Sequence, residues 1–219
     1  MKEIFKIAID GPSGAGKSTI AKAVARRLGI DYIDTGAMYR AIGLKMTRLG
    51  LAMEENRELQ SMLDETDIDF HAGDVILDGV IVNDLIRTPE MSMAASACSA
   101  LGMVRAKLVE LQRGMGQKKS VIMDGRDICS VVLPDAEYKY YLTASAEERA
   151  RRRTAELMEK GQKVDFAQVL ADIQQRDYND MNRAITPLKK AEDAVEIDST
   201  DMSIEEVVEF ICAPVEAEG

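Results

Sequence analysis

Residues 4–9 form a near-continuous apolar run, the pattern of a buried strand, and residues 20–28 switch to apolar positions three and four apart, the pattern of one helical face. Gly29 stands where a helix C-cap is expected, residues 31–33 return to strand, and residues 37–49 predict a second helix closed by Gly50. Strands and helices alternating across turns this short predict a doubly wound parallel sheet. After a short helix over 54–63 the rhythm changes. Ile68-Asp69-Phe70, Val75-Ile76-Leu77 and Val80-Ile81-Val82 read as small strands, separated by Ala72-Gly73-Asp74 and by Asp78-Gly79. Asp-Gly between β-branched residues is a hairpin signal. A meander does not belong inside a parallel sheet, so residues 60–95 are predicted to be a small β-containing lobe inserted in the α/β core.

Helical sequence resumes from Pro89 to about Met115, with a break near Leu101-Gly102. Core strands are predicted over 120–123, 138–142 and 194–197. Ser145 with Glu148 predicts a capping box for a helix rich in arginine; Gly161 interrupts, and residues 166–179 are helical again. Ser203 with Glu206 predicts a second capping box, for a last helix ending near Cys212 and followed by a frayed acidic tail.

The chemistry begins where the first strand meets the first helix. Gly11-Pro12-Ser13-Gly14-Ala15-Gly16-Lys17-Ser18-Thr19 fits the pattern G-x-x-x-x-G-K-[ST] between Gly11 and Ser18, and its flanks are a strand and a helix as that pattern requires. A loop that wraps an oligophosphate must turn successive backbone N–H groups inward, and glycines permit those dihedrals and clear the approach. Lys17 supplies a mobile charge to the β- and γ-phosphates, Ser18 an oxygen for Mg²⁺, and the helix its positive N-terminal end.

Arginines recur where such a sheet would use them. Arg40 follows the second predicted strand, Arg126 the strand at 120–123, and Arg176 and Arg183 bracket Asp180. Loops after strand C-terminal ends share an edge with the phosphate loop, so Arg40 and Arg126 are expected at a common cleft, where a guanidinium can clamp phosphate. Arg149, Arg152 and Arg153 share a helix face, and Glu148 and Glu156 are the nearby carboxylates that can compensate them. Asp34, Asp124, Asp127 and Asp180 among these arginines suit a ligand that brings hydroxyl and amino donors as well as phosphate, such as a nucleoside monophosphate. A phosphate acceptor is already anionic at neutral pH and needs no catalytic base. Accordingly the single histidine, His71, is read as a solvated turn residue.

Composition narrows the classes. With 219 residues, 46% apolar and 30% charged, the chain is globular and read as one domain spanning 1–219. A net charge of −10 opposes a nucleic-acid polymer or an anionic membrane as partner. No apolar run approaches a membrane span and Met1 leads straight into the first strand, so a cytoplasmic location is expected. Cys98, Cys129 and Cys212 have no metal spacing and are expected to be buried free thiols. No interface signal stands out, and a monomer is expected. A GTPase-like switch would need an Asn-Lys-x-Asp stretch, which is absent. A nucleic-acid-dependent ATPase would need a basic surface. From the residues alone the reading is a kinase of a small phosphorylated acceptor.

The phosphate loop, together with Asp34-Thr35-Gly36-Ala37-Met38-Tyr39-Arg40, Asp124-Gly125-Arg126-Asp127 and Arg176-Asp177-Tyr178-Asn179-Asp180-Met181-Asn182-Arg183, resembles the bacterial cytidylate kinases over nearly the whole chain. The resemblance implies an α/β P-loop fold, a three-layer doubly wound parallel sheet with an acceptor-binding inserted lobe and a short lid at about residues 154–170. It implies transfer of the ATP γ-phosphate to CMP or dCMP with Mg²⁺. Ser96, Arg105 and Asp127 would read cytosine, Arg176 and Asp180 the pentose, and Arg40, Arg126 and Arg183 the acceptor phosphate. Thr35 and Tyr39 would line the acceptor site, and Asp124 would orient its arginines. Arg149 and Arg153 would join Lys17 and Arg126 as catalytic groups by approaching the donor phosphates on lid closure. A dual-specificity UMP/CMP kinase and shikimate kinase are the runner-up readings.

Overall fold

The computed structural model describes residues 4–71, 73–159 and 161–218. Ala72 of the first predicted turn, Lys160 of the predicted lid, Met1 and the terminal Gly219 lie outside them. The chain forms two compact units, Met1–Tyr32 with Lys119–Gly219, and Ile33–Lys118.

The first unit carries a five-stranded sheet in the order β2-β6-β1-β7-β8, with β1 at Lys6–Asp10, β6 at Val121–Gly125, β7 at Tyr138–Thr143 and β8 at Val195–Asp198. Edge strand β2, Asp31–Asp34, is where the chain passes into the second unit. The ladders joining β6, β1, β7 and β8 are parallel, as the short strand–helix alternation predicts. Side chains alternate across β1. Ile7 and Ile9 pack with Ile20, Ala21 and Val24 of α1 (Lys17–Leu28) and with Val207, Val208 and Ile211 of α8 (Ile204–Ala217). Ala8 and Asp10 therefore point to the opposite face. Beyond β6 the chain makes one π-helical turn over Ile128–Val132, which the apolar pattern did not signal. Helices α6 (Ala146–Glu159) and α7 (Phe166–Asn182) pack through Ala150, Val169 and Ile173.

In the second unit α2 (Thr35–Leu49) and α4 (Pro89–Cys98) cross closely at Gly43, where an added Cβ would lie 2.9 Å from the Ala94 methyl. Helices α3 (Arg57–Asp64) and α5 (Gly102–Lys118) complete its helical part, and the expected break at 101–102 separates α4 from α5. Strands β3 (Ile68–His71), β4 (Asp74–Leu77) and β5 (Val80–Ile81) form the antiparallel meander. Asp78 and Gly79 both adopt positive φ, 50° and 79°, as a two-residue hairpin turn demands.

Two predicted features differ. Ser145 Oγ accepts from the Glu148 N–H at 3.2 Å, but the Glu148 carboxylate turns to Arg151 and Arg152 instead of closing a capping box, and the Ser145 N–H donates to Thr200 Oγ1. The last helix runs through Cys212 to Ala217 with Pro214 inside it, so most of the predicted frayed tail is helical. Arg27 draws Glu209 and Glu216 together on that helix, which favours its continuation past the proline. The Ser203–Glu206 box at its other end is complete.

Candidate active site

The phosphate loop is shaped by backbone that only glycine accepts comfortably. Gly11 has φ 152°, and a Cβ there would run into the carbonyl oxygen of Leu142. Gly16, at φ 89°, leads directly into α1. Lys17 is 6% exposed, and its ammonium donates to the carbonyls of Gly11 and Pro12, each at 2.8 Å. Burial pushes its pKa down to about 7; Arg126 adds to that, while Asp124 and Asp10 oppose it. Ser18, next on α1, donates its hydroxyl to Asp124 Oδ2 at 3.1 Å, and Tyr32 donates to the other oxygen at 2.8 Å. The pairing follows from register: Ile122 of β6 faces α1, and Asp124, two residues on, falls on the same face.

Arg126 and Arg183, in the same unit, each stand beside an aspartate. Arg126 Nε donates to Asp180 Oδ2 at 2.7 Å, and Arg183 lies 3.8 Å from Asp127 Oδ1 while its Nε donates to the Thr186 carbonyl at 2.6 Å. Burial alone would raise the Asp180 pKa, but Arg126, and beyond it Arg176 and Arg183, hold it below the usual carboxylate value. Thr186, whose carbonyl accepts that bond, adopts a left-handed φ of 46°.

Arg149 is buried and fully engaged. It donates to the carbonyls of Ala144 and Ser13 and forms a two-pronged pair with Asp177, at 3.0 and 2.6 Å. The compensating carboxylate is thus on α7 and not among the glutamates of its own helix, which serve Arg152 and Arg153 instead. Arg153 pairs with Glu156 at 2.7 Å on a half-exposed face.

The second unit holds the remaining candidates. Asp34 caps α2 by accepting from the Ala37 N–H at 2.8 Å and pairs with Arg40 at 3.2 Å, and Thr35 is buried in the first turn. Arg105 of α5 is 4% exposed and donates to the Tyr39 hydroxyl at 3.2 Å. Ser96 is half-buried on α4, and His71 is exposed at the end of β3. Residues that the sequence reading missed are Asp10, Tyr32, Asp177 and Thr186. Asp10 carried a legible signal, as a carboxylate ending an apolar strand immediately before the loop, and Asp177 another, as a member of the Arg176–Arg183 stretch.

Hard oxygen donors, Ser18 Oγ and Asp124, stand together at the loop, and no group of three or more metal-ligating side chains occurs among the described residues. That set fits Mg²⁺, which takes few protein ligands and completes its shell with phosphate and water.

A glycine loop opening a helix on a parallel sheet, a buried lysine at its mouth and arginines beyond the neighbouring strand define a P-loop phosphotransferase type of protein. In fold alone the chain is similar to an uncharacterized protein from Eubacterium ventriosum, which superimposes with a TM-score of 0.54 at 15% identity, over 98% of this chain and 99% of that one. A shikimate kinase from Bacteroides thetaiotaomicron does so with a TM-score of 0.50 at 17% identity, again over 98% and 99%. The sequence profile of the family described as cytidylate kinase matches residues 7–217, and the chain belongs to that family. A cytidylate kinase from Caldicellulosiruptor saccharolyticus is 55% identical over 96% of this chain and 95% of its own length. One from Clostridium perfringens is 50% identical over 99% and 100%.

Proposed function

We propose that this chain transfers the γ-phosphate of ATP to CMP or dCMP, giving ADP and CDP or dCDP, as a monomer in the cytoplasm. The observation that carries the reading is the grouping, within one unit, of the phosphate loop with its buried Lys17 and the Arg126–Asp180 and Arg183–Asp127 pairs. Such a set supplies positive charge and ribose or base acceptors without a general base, which an anionic acceptor does not need.

In this reading the loop 11–19 holds the ATP phosphates. Lys17 exchanges the Gly11 and Pro12 carbonyls for phosphate oxygens, and the approaching negative charge favours its ammonium form. Ser18, with Asp124 behind it, would hold Mg²⁺, which would supply positive charge to offset that of the ATP phosphates. Arg126 and Arg183, with Arg40 from the second unit, clamp the acceptor phosphate. Arg176 and Asp180 take the pentose. Asp127, with Ser96 and Arg105 of the second unit, reads the cytosine edge, while Thr35 and Tyr39 line the acceptor. Asp124 anchors Ser18 and orients the arginines. Arg149, which also holds the loop through the Ser13 carbonyl, and Arg153, which exchanges Glu156, approach the donor phosphates when the lid over 154–170 closes, joining Lys17 and Arg126 as catalytic groups. The lobe over 60–95 is assigned to acceptor binding.

The test is a panel of CMP, dCMP, UMP, AMP and shikimate with ATP, with and without EDTA. CMP and dCMP should turn over with kcat/KM about 100-fold above UMP, since each mispaired buried group costs about 1–3 kcal/mol, and EDTA should abolish the activity. Shikimate as the best acceptor would overturn the reading.

A further inference from the structure

Asp10 ends β1 one residue before the phosphate loop, and its side chain leaves the α1 face for the side where the π-helical turn lies. It is 1% exposed, and each of its oxygens accepts a backbone N–H, from Ile128 at 2.8 Å and from Cys129 at 2.9 Å. These are the first two residues of that turn, whose N–H groups have no partner within it. Just upstream stands Asp127, in an irregular conformation of φ −151° and ψ 29°, its own carbonyl taken by the N–H groups of Val131 and Val132. The backbone of the Asp124-Gly125-Arg126-Asp127 segment is therefore held at one end by the β6 ladder to β1 and at the other by a single side chain of β1.

A carboxylate is an expensive way to do this. Burial pushes its pKa up to about 6 despite the two N–H donors, and Asp127 adds a like charge nearby. A role in packing alone would be met more cheaply by a neutral residue of similar size. What an ionised carboxylate adds is two short, directional, charge-assisted bonds that fix the position of the accepting backbone.

We propose that Asp10 is the positioning residue for base discrimination: by gripping the Ile128 and Cys129 N–H groups it holds the Asp127 carboxylate where it can accept from the amino group of cytosine and repel the carbonyl of uracil. This rests on the reading of Asp127 as a base-contacting residue. Discrimination of this kind depends on a carboxylate that cannot move aside, because a mobile one lets the mismatched base escape its unpaired partner.

The experiment compares Asp10→Asn, Asp127→Asn and the unchanged protein for kcat and KM with CMP and UMP and for KM with ATP. Asparagine at position 10 keeps one acceptor and sets an amide against the other N–H. For Asp10→Asn the ratio of kcat/KM for CMP over UMP should fall about tenfold, chiefly through a higher KM for CMP, with the KM for ATP within about twofold. If CMP and UMP decline in parallel in Asp10→Asn while Asp127→Asn does change the ratio, Asp10 is only structural and the proposal is overturned. If Asp127→Asn leaves the ratio unchanged, the underlying reading of Asp127 fails and the proposal with it. Should Asp10→Asn not fold, Asp10→Ser, which keeps a single acceptor in a smaller volume, takes its place with the same expectation; failure of both to fold also overturns the proposal.

Discussion

At the scale of single residues the phosphate loop is costly for the ligand-free protein, and Lys17 shows how. Its ammonium is buried against two carbonyls, with its pKa lowered to about 7 from 10.5. Below about pH 7 the lysine is charged in both folded and unfolded chains and the burial penalty is fully present. Between pH 7 and 10.5 the unfolded chain holds the proton more tightly, so the contribution of this residue to stability improves as pH rises. Lys17→Met removes the titration. Its stability advantage over the unchanged protein, measured by urea unfolding, should therefore be larger at pH 7 than at pH 9.5. The same substitution should lower kcat about 100-fold, since a charge that follows the transferring phosphoryl group is worth several kcal/mol. A gap in stability that widens with pH would contradict the buried, depressed lysine.

At the scale of elements, local signals were legible and partnerships across the chain were not. The phosphate loop, the glycine helix ends at 29 and 50, the Asp78-Gly79 turn and the Ser203–Glu206 box are each decided by a few adjacent residues, and all are visible in the sequence. The cap at Ser145 stays half-formed because its N–H goes to the distant Thr200 while Arg151 and Arg152 of the same helix draw off Glu148, and the last helix continues past Pro214 with the distant Arg27 pairing Glu209 and Glu216. The site divides the same way. Lys17 and Ser18 follow from a motif, whereas the partner of Arg149 lies 28 residues away on α7 and no spacing rule reaches it. That pair joins α6 to α7 and, through the Ser13 carbonyl, both to the phosphate loop. Removing one member leaves a buried charge uncompensated, so Asp177→Ala should cost about 3–5 kcal/mol in denaturant unfolding. Replacing both, as Arg149→Met with Asp177→Leu, should cost clearly less than the sum of the single changes. Additive losses would mean that the two side chains do not act as a pair.

At the scale of the whole molecule, both units bury their thiols. Cys98 of the second unit is packed against the Tyr39 carbonyl, and burial pushes its pKa up to about 12. In the first unit burial raises Cys129, beside Asp10, further still, and lifts Cys212 to about 11. A thiol reagent needs both access and thiolate, and none of the three offers either in the folded protein. Labelling should therefore report opening of the structure: no prompt reaction in native buffer, and three thiols per chain once denatured. A ligand that binds only the folded form suppresses opening by mass action, by about 2.7 kcal/mol at 100 times its Kd, or roughly 100-fold in the rate of labelling through full unfolding. ATP with Mg²⁺ should therefore slow the reaction of Cys129 and Cys212, which share the unit of the phosphate loop, as followed by mass spectrometry of the labelled peptides. Prompt labelling of Cys129 in native buffer would mean that the turn gripped by Asp10 opens on its own, and would remove the rigid support on which the proposed reading of the base depends.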